Sequence, residues 1–315
     1  LLILSFSTIL IIFNSIIISR DGIKERLPAI FQKVTMEETH KLIKNSINEE
    51  CLGLKNGCAF NTSSQKKVFL IGDSHAASLG LNLKSEIVKK DYQFITYLHG
   101  SCGFFPGFDL VQRNNMKIDN NCNDLYFSKL KEILNKEENS IIIFGARLPA
   151  YLDNREFNPK NVTQGKETPQ FYKPKNSNTS LQSSFKSVFN QLSKKNKIIL
   201  IYPIPEFGDN VPRKIFNKYL KEGLVFNKNL GKEKFLTTSF KSYNDWSKSS
   251  FKLFDSLTNN NISRVYPHKL FCDNLIKKKC ITHDYNDIFY FDSQHLSSKG
   301  AKLIGEMIME EISKN

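Results

Sequence analysis

The chain has 315 residues, with 45 Lys and Arg against 31 Asp and Glu, a formal net charge of +14, and such a surplus raises nucleic acid as a partner. Its lysines are scattered from Lys24 to Lys314 among asparagines and isoleucines, with no arginine-rich stripe and no nucleic-acid-binding motif, so nucleic acid is set aside. Solvated lysines, or attraction to an anionic lipid or polysaccharide, remain as readings of the charge, and the length suffices for one large domain or two ordinary ones.

Residues 1–19, "LLILSFSTILIIFNSIIIS", contain no charge and then meet Arg20-Asp21. At about 1.5 Å per residue they nearly cross a hydrocarbon core of about 30 Å, which predicts one transmembrane helix. A basic leader and a small-residue cleavage site are missing, and the sequence opens on Leu1, so the helix reads as the last of several in a longer parent chain. The alternative is a buried or uncleaved leader helix. Residues 20–65 read as a connector: a short helical stretch with apolar residues near 34–47, then a first cysteine loop.

From residue 66 onward strands and helices alternate. A continuous apolar run predicts a strand at 67–72, and further strands are read at 92–98, 140–146, 197–205 and 263–268. Helical periodicity predicts helices at 76–90, 124–136, 181–194, 240–258 and 298–313. Residues 153–180 and 206–239 lack periodicity and read as long inserts, the first a surface loop. This alternation predicts a three-layer α/β/α sandwich with a five-stranded parallel sheet, whose sites gather at the carboxyl ends of the strands.

Six cysteines fall as three neighbouring pairs, Cys51 and Cys58, Cys102 and Cys122, Cys272 and Cys280, with no CxxC knuckle to suggest zinc. The local pairing, one of 15 possible, closes short loops outside the expected elements. An even count in loops points to an oxidising compartment, the periplasm or the cell exterior. The flank Arg20, Lys24 and Arg26 against Asp21 and Glu25 leans weakly to the cytoplasm, and the cysteines are given more weight.

Strand 67–72 runs into Gly72-Asp73-Ser74-His75. A serine hydroxyl is a poor nucleophile unless a base takes its proton and a third group orients the base. Among six histidines, only His295 has an acid at useful local spacing in a fitting place, Asp292 in "YFDSQHLSSKGAKLI". Each half also reads as an ordinary turn and helix cap, with Asp292 or Ser297 capping and His295 packed at the surface. His75 reads as structural, His99 and His268 as packing residues, and Trp246 as core.

"GDSH" and "DSQHLS", with "HGSCGFFPGF", "IIIFGARLPAY", "IYPIPEFGDNVPR" and the cysteine loop before residue 290, resemble the SGNH (GDSL-like) esterase and acyltransferase superfamily. Over roughly residues 45–313 the likeness is to the SGNH domain fused behind type-three membrane acyltransferases, as in bacterial O-antigen O-acetyltransferases. It implies a catalytic domain at 66–315 with Ser74 as nucleophile, His295 as base and Asp292 as orienting acid, while Asp73 belongs to the turn. It also implies oxyanion donors at the backbone N–H of Ser74 and near Gly100. The superfamily's Gly-x-Asn-Asp block is absent. Gly145-Ala146-Arg147 stands there, and Arg147 either faces the developing charge or pairs with a loop carboxylate.

The implied function is acetyl transfer to a cell-surface glycan through an acyl-serine, outside the bacterial inner membrane. An upstream membrane acyltransferase domain would supply the acetyl group, with no cofactor bound directly. An extracytoplasmic carbohydrate O-acetyl esterase and a non-catalytic glycan-binding module are the competing readings.

Overall fold

Apolar runs with no polar interruption are stable as strands only when both faces of the sheet are covered. Three such runs, within residues 67–72, 141–145 and 197–201, build the centre of this molecule. The structure, a computed structural model, describes residues 2–19, 29–32, 42–221 and 235–314. Strands β2 (Lys67–Gly72), β3 (Gln93–Leu98), β5 (Ile141–Gly145), β7 (Lys197–Ile201) and β9 (Ile262–Val265) are parallel neighbours in the order β3-β2-β5-β7-β9. The register places Gly72 opposite Leu98 on one side and Gly145 on the other, so the ends of three strands meet at one level.

Alternation along β2 divides the core in two. Val68 and Leu70 pack on one face with Leu79, Leu83 and Ile87 of α3 (Ser74–Lys89) and Ile304 and Ile308 of α10 (Ser298–Ser313). Phe69 and Ile71 point to the other face. There they join Phe127 and Leu130 of α4 (Asp124–Asn135) and Phe185 and Phe189 of α6 (Leu181–Leu192). These layers are the expected α/β arrangement.

The sheet differs from the expected one at its edge. A sixth strand, β1 (Cys58–Phe60), pairs antiparallel with β3, so the sheet is mixed and six-stranded. Its apolar stretch is only three residues long, too short to stand out in sequence, and the Cys51–Cys58 disulfide holds its start. Cys102–Cys122 and Cys272–Cys280 are also bonded, so all three neighbouring pairs are disulfides.

Both inserts contain regular elements among their described residues. Residues 153–180 contain β6 (Gln170–Pro174), which pairs antiparallel with β4 (Phe108–Gln112) as a separate two-stranded sheet. The segment between β5 and β6 begins with the short helix α5 (Leu148–Asp153). Residues 206–239 contain α7 (Val211–Lys221) and β8 (Thr237–Ser239). β8 leads into α8 (Phe240–Asp255) and pairs with β10 (Lys279–Ile281). A short helix, α9 (His268–Phe271), takes the end expected of strand 263–268.

At the N-terminus the apolar stretch is helical, α1 (Leu2–Ser19), with Ile9, Ile11 and Ile18 more than half exposed. No helix among the described residues is long and apolar enough to cross a membrane; the stretch expected as a transmembrane span is an apolar helix whose described side chains are largely exposed. Most of the helical stretch expected near 34–47 lies outside the described residues, and residues 42–47 are not helical. The short α2 (Ala29–Gln32) docks by Phe31, edge-on to Phe216 and Tyr219 of α7.

Candidate active site

The turn after β2 is dictated by two glycines. Gly72 has a φ of +142°, and a Cβ there would lie 1.8 Å from the carbonyl oxygen of Gly145, so no larger residue fits without separating the strands. Asp73 follows as the N-cap of α3, its carboxylate accepting from the N–H of His75 at 2.8 Å. The same carboxylate accepts from the N–H of Arg147 at 2.8 Å and from the hydroxyl of Tyr151. Complete burial pushes its pKa up, against the lowering effect of these hydrogen bonds. Asp73 thereby ties together the ends of β2 and β5 and does not face an imidazole.

Ser74 is the first residue of a 16-residue helix. The first N–H groups of a helix lack intrahelical acceptors and carry its positive end. The backbone N–H of Ser74 has no hydrogen-bond partner among the described residues. Its Oγ lies 2.8 Å from Nε2 of His295.

His295 belongs to a second turn, held by the antiparallel bridge between Tyr290 and Leu296 and placed ahead of α10. Its Nδ1 is 2.7 Å from Oδ2 of Asp292. The other carboxylate oxygen accepts from the backbone N–H groups of Gln294 and His295, both at 2.8 Å. Partial burial works to raise the pKa of Asp292. The hydrogen bonds and charge of His295 outweigh it and pull the group down to about 2. Phe291 stacks on the His295 ring at 5.4 Å. Backbone bonds from Phe207 to Ser293 and from Val211 to Asp292, 2.9 and 3.1 Å, fasten this turn to the segment after β7.

His75 sits edge-on 5.3 Å from His295 and is buried, with neither ring nitrogen hydrogen-bonded. Burial, reinforced by the charge of His295, lowers its pKa to about 3, so it is a neutral packing group. His99 is buried beneath the next loop, its N–H bonded to the carbonyl of Gly72 at 3.1 Å. His268 packs near Tyr243, and Trp246 is buried against Phe157.

Arg147 occupies the position where the expected asparagine is missing, and its guanidinium is fully engaged. Nε and one terminal nitrogen form a fork with Glu206 at 3.0 and 2.6 Å, and the other terminal nitrogen meets Glu156 at 2.7 Å. Burial works to lower the Arg147 pKa, and the two carboxylates outweigh it and raise the group above its ordinary value. Of the two roles expected for Arg147, the geometry contains the pairing with loop carboxylates. An oxyanion role does not fit a cation already held by two anions.

Sequence reasoning passed over Glu206. It is 3% exposed and also accepts from the indole N–H of Trp246 at 3.3 Å. The isolated charge amid "IYPIPEFG" was the available signal. Tyr172 of β6 was likewise missed: its hydroxyl donates to the carbonyl of Ser101 at 2.9 Å and accepts from the N–H of Gly103 at 2.7 Å. It braces the loop that carries Gly100. Gly100 is exposed, and a Cβ there would meet nothing. A cleft opens above Ser74, lined by Ser101, Arg147, Tyr151, Gln170 and Gln294. No group of three or more His, Cys, Asp or Glu among the described residues is arranged to hold a metal ion.

A profile of the SGNH domain (fused to AT3 domains) matches residues 44–310. No curated protein matches the chain. Among solved structures, the periplasmic domain of a lipopolysaccharide acetyltransferase from Salmonella ser. Paratyphi A is 19% identical with a TM-score of 0.51, covering 80% of this chain and 85% of that one. That likeness is one of fold. A protein described as a GDSL-like lipase, from Parabacteroides merdae, is 11% identical with a TM-score of 0.36, over 78% of this chain and 95% of its own.

Proposed function

Since the chain belongs to the family of SGNH domains fused to AT3 domains, we propose that it transfers acyl groups, with acetyl the expected one, to a glycan hydroxyl through an acyl-Ser74 intermediate. The observation that carries this reading is the unbroken series Ser74 Oγ, His295 and Asp292, with contacts of 2.8 and 2.7 Å. In the first half-reaction the Ser74 oxygen attacks the acyl carbonyl while His295 Nε2 takes the hydroxyl proton. The imidazolium is stabilised by Asp292, which stays ionised because its pKa lies near 2. Charge on the carbonyl oxygen is met by the N–H of Ser74 at the positive end of α3.

Collapse of the tetrahedral adduct expels the donor's oxygen, which receives the proton from His295. In the second half-reaction a glycan hydroxyl gives its proton to His295 and attacks the acyl-serine, and Ser74 leaves with that proton. The family's fusion to AT3 domains supports a membrane acyltransferase as the supplier of the acyl group. Three disulfides support an extracytoplasmic site for the chemistry.

A chromogenic acetyl ester tests the serine. Ser74→Ala is expected to lose at least about 10⁴-fold in kcat with an unchanged circular dichroism spectrum, and a retained rate overturns the covalent mechanism. Product analysis with a polysaccharide acceptor then separates transfer from hydrolysis. Acetylated polysaccharide supports transfer, and free acetate alone reduces the activity to that of an esterase.

A further inference from the structure

The segment that fastens the His295 turn continues into a charged groove. Helix α7 buries Val211, Ile215 and Tyr219, spaced by four residues, and this apolar stripe is covered in part by Phe31. On the outward side Arg213, Lys214 and Lys221 are exposed and Lys218 is partly so, at positions that fall along one side of the helix. Together with Asn210 and Leu236 they line a groove. Among the described lining residues, the exposed cations Arg213, Lys214 and Lys221 stand with one carboxylate, Asp209, whose contact with Lys214 is 3.1 Å between half-exposed groups. Arg213 and Lys221 have no carboxylate partner among the described residues. The groove starts where Val211 donates its N–H to the carbonyl of Asp292, so its first turn is attached to the residue that orients His295.

We propose that this groove binds the carboxylate or phosphate groups of an acidic acceptor glycan, which deepens the acyl-transfer reading and rests on it. A concave track of cations suits a chain of spaced anions, and its attachment to the Asp292 turn lets one extended polymer contact the groove while a hydroxyl further along reaches Ser74. Asn210 and Asn217 add amide groups suited to sugar hydroxyls between the charges. Anchored inner residues hold the helix in place, so the site needs little ordering when the polymer arrives.

Binding of a fluorescent oligogalacturonide to the full chain, read by anisotropy, tests this against a neutral malto-oligosaccharide and against phosphatidylglycerol vesicles. The oligogalacturonide is expected to bind and the neutral sugar not. The double variant Arg213→Glu, Lys221→Glu is expected to weaken binding by at least about tenfold at low salt, with the difference shrinking as salt shortens the Debye length. Hydrolysis of a small acetyl ester is expected to stay within about twofold of the parent, since neither residue touches Ser74, His295 or Asp292.

Unchanged oligogalacturonide affinity in the variant overturns the site. Loss of vesicle binding with oligogalacturonide binding retained also overturns it, in favour of a membrane-facing helix. If Ser74→Ala keeps full ester turnover while the groove variant loses the oligogalacturonide, the acyl-transfer reading falls and the binding site stands.

Discussion

The turns that begin α3 and precede α10 each carry an aspartate beside a reactive residue, and they treat it in opposite ways. Asp73 is fully buried and accepts from two backbone N–H groups and a tyrosine hydroxyl, and its pKa is pushed up by burial. Asp292 keeps 30% of its side chain exposed, binds an imidazole and two N–H groups, and is held near 2. Asp73 is nearer to Ser74 in sequence, and Asp292 is the one that contacts the His295 ring. A carboxylate surrounded by fixed donors positions backbone, whereas one that accepts from the N–H of the base itself can steady a charge that appears on that base during reaction.

The largest effect that would break this comparison is on rate. Asp292→Asn is expected to lower kcat on a chromogenic acetyl ester by about 10⁴-fold, through the wrong tautomer and an unsupported imidazolium. Asp73→Asn is expected to cost under about tenfold in rate and about 1–2 kcal/mol in stability, since an amide still caps the helix but loses an acceptor. Equal rate losses in the two variants would show that both carboxylates act on His295.

A smaller effect concerns the clamp that supports both turns. Arg147→Ala leaves Glu206 buried without its partner, a loss of about 3–5 kcal/mol by denaturant unfolding. Adding Glu206→Gln is expected to restore part of it. An Arg147→Ala variant with parental stability and a selectively lowered kcat would return the cation to an oxyanion role.

The smallest effect is the pH dependence, where the aspartates have opposite signs. Asp292 has a folded pKa below its ordinary 3.8. Its contribution of about 2 kcal/mol is present above pH 4 and lost as pH falls from about 4 through about 2. Asp73 has a raised folded pKa, so its contribution is present at low pH and lost as pH rises through that value. Urea titrations should show Asp292→Asn flattening the acid-side fall in stability and Asp73→Asn steepening it. The same change of slope in both variants would contradict the opposed environments.

β2, β5 and β7 were legible because each is almost wholly an apolar run, and Asp292 and His295 because they are three residues apart. Their contact with Ser74 bridges 221 residues, a distance that residue types and resemblance suggest and only folding closes. β4 and β6 were not legible. "FDLVQ" and "QFYKP" are short and mixed, and each is a strand because it pairs with the other. α7 did carry a signal, Val211, Ile215 and Tyr219 at fourfold spacing after a run of turn residues, which the surrounding polar insert obscured. Arg147 could be singled out by its position after β5, but the identity of its buried partner depends on where the loop after β7 comes to lie.

Covalent labelling tests the central claim, that His295 makes Ser74 the nucleophile, more directly than turnover. The full chain is treated with a fluorophosphonate and the modified peptide located by mass spectrometry. The predicted result is a single adduct on Ser74, formed at least about 10³-fold more slowly in His295→Ala. An adduct on another residue, or one on Ser74 at the parental rate in His295→Ala, would contradict it.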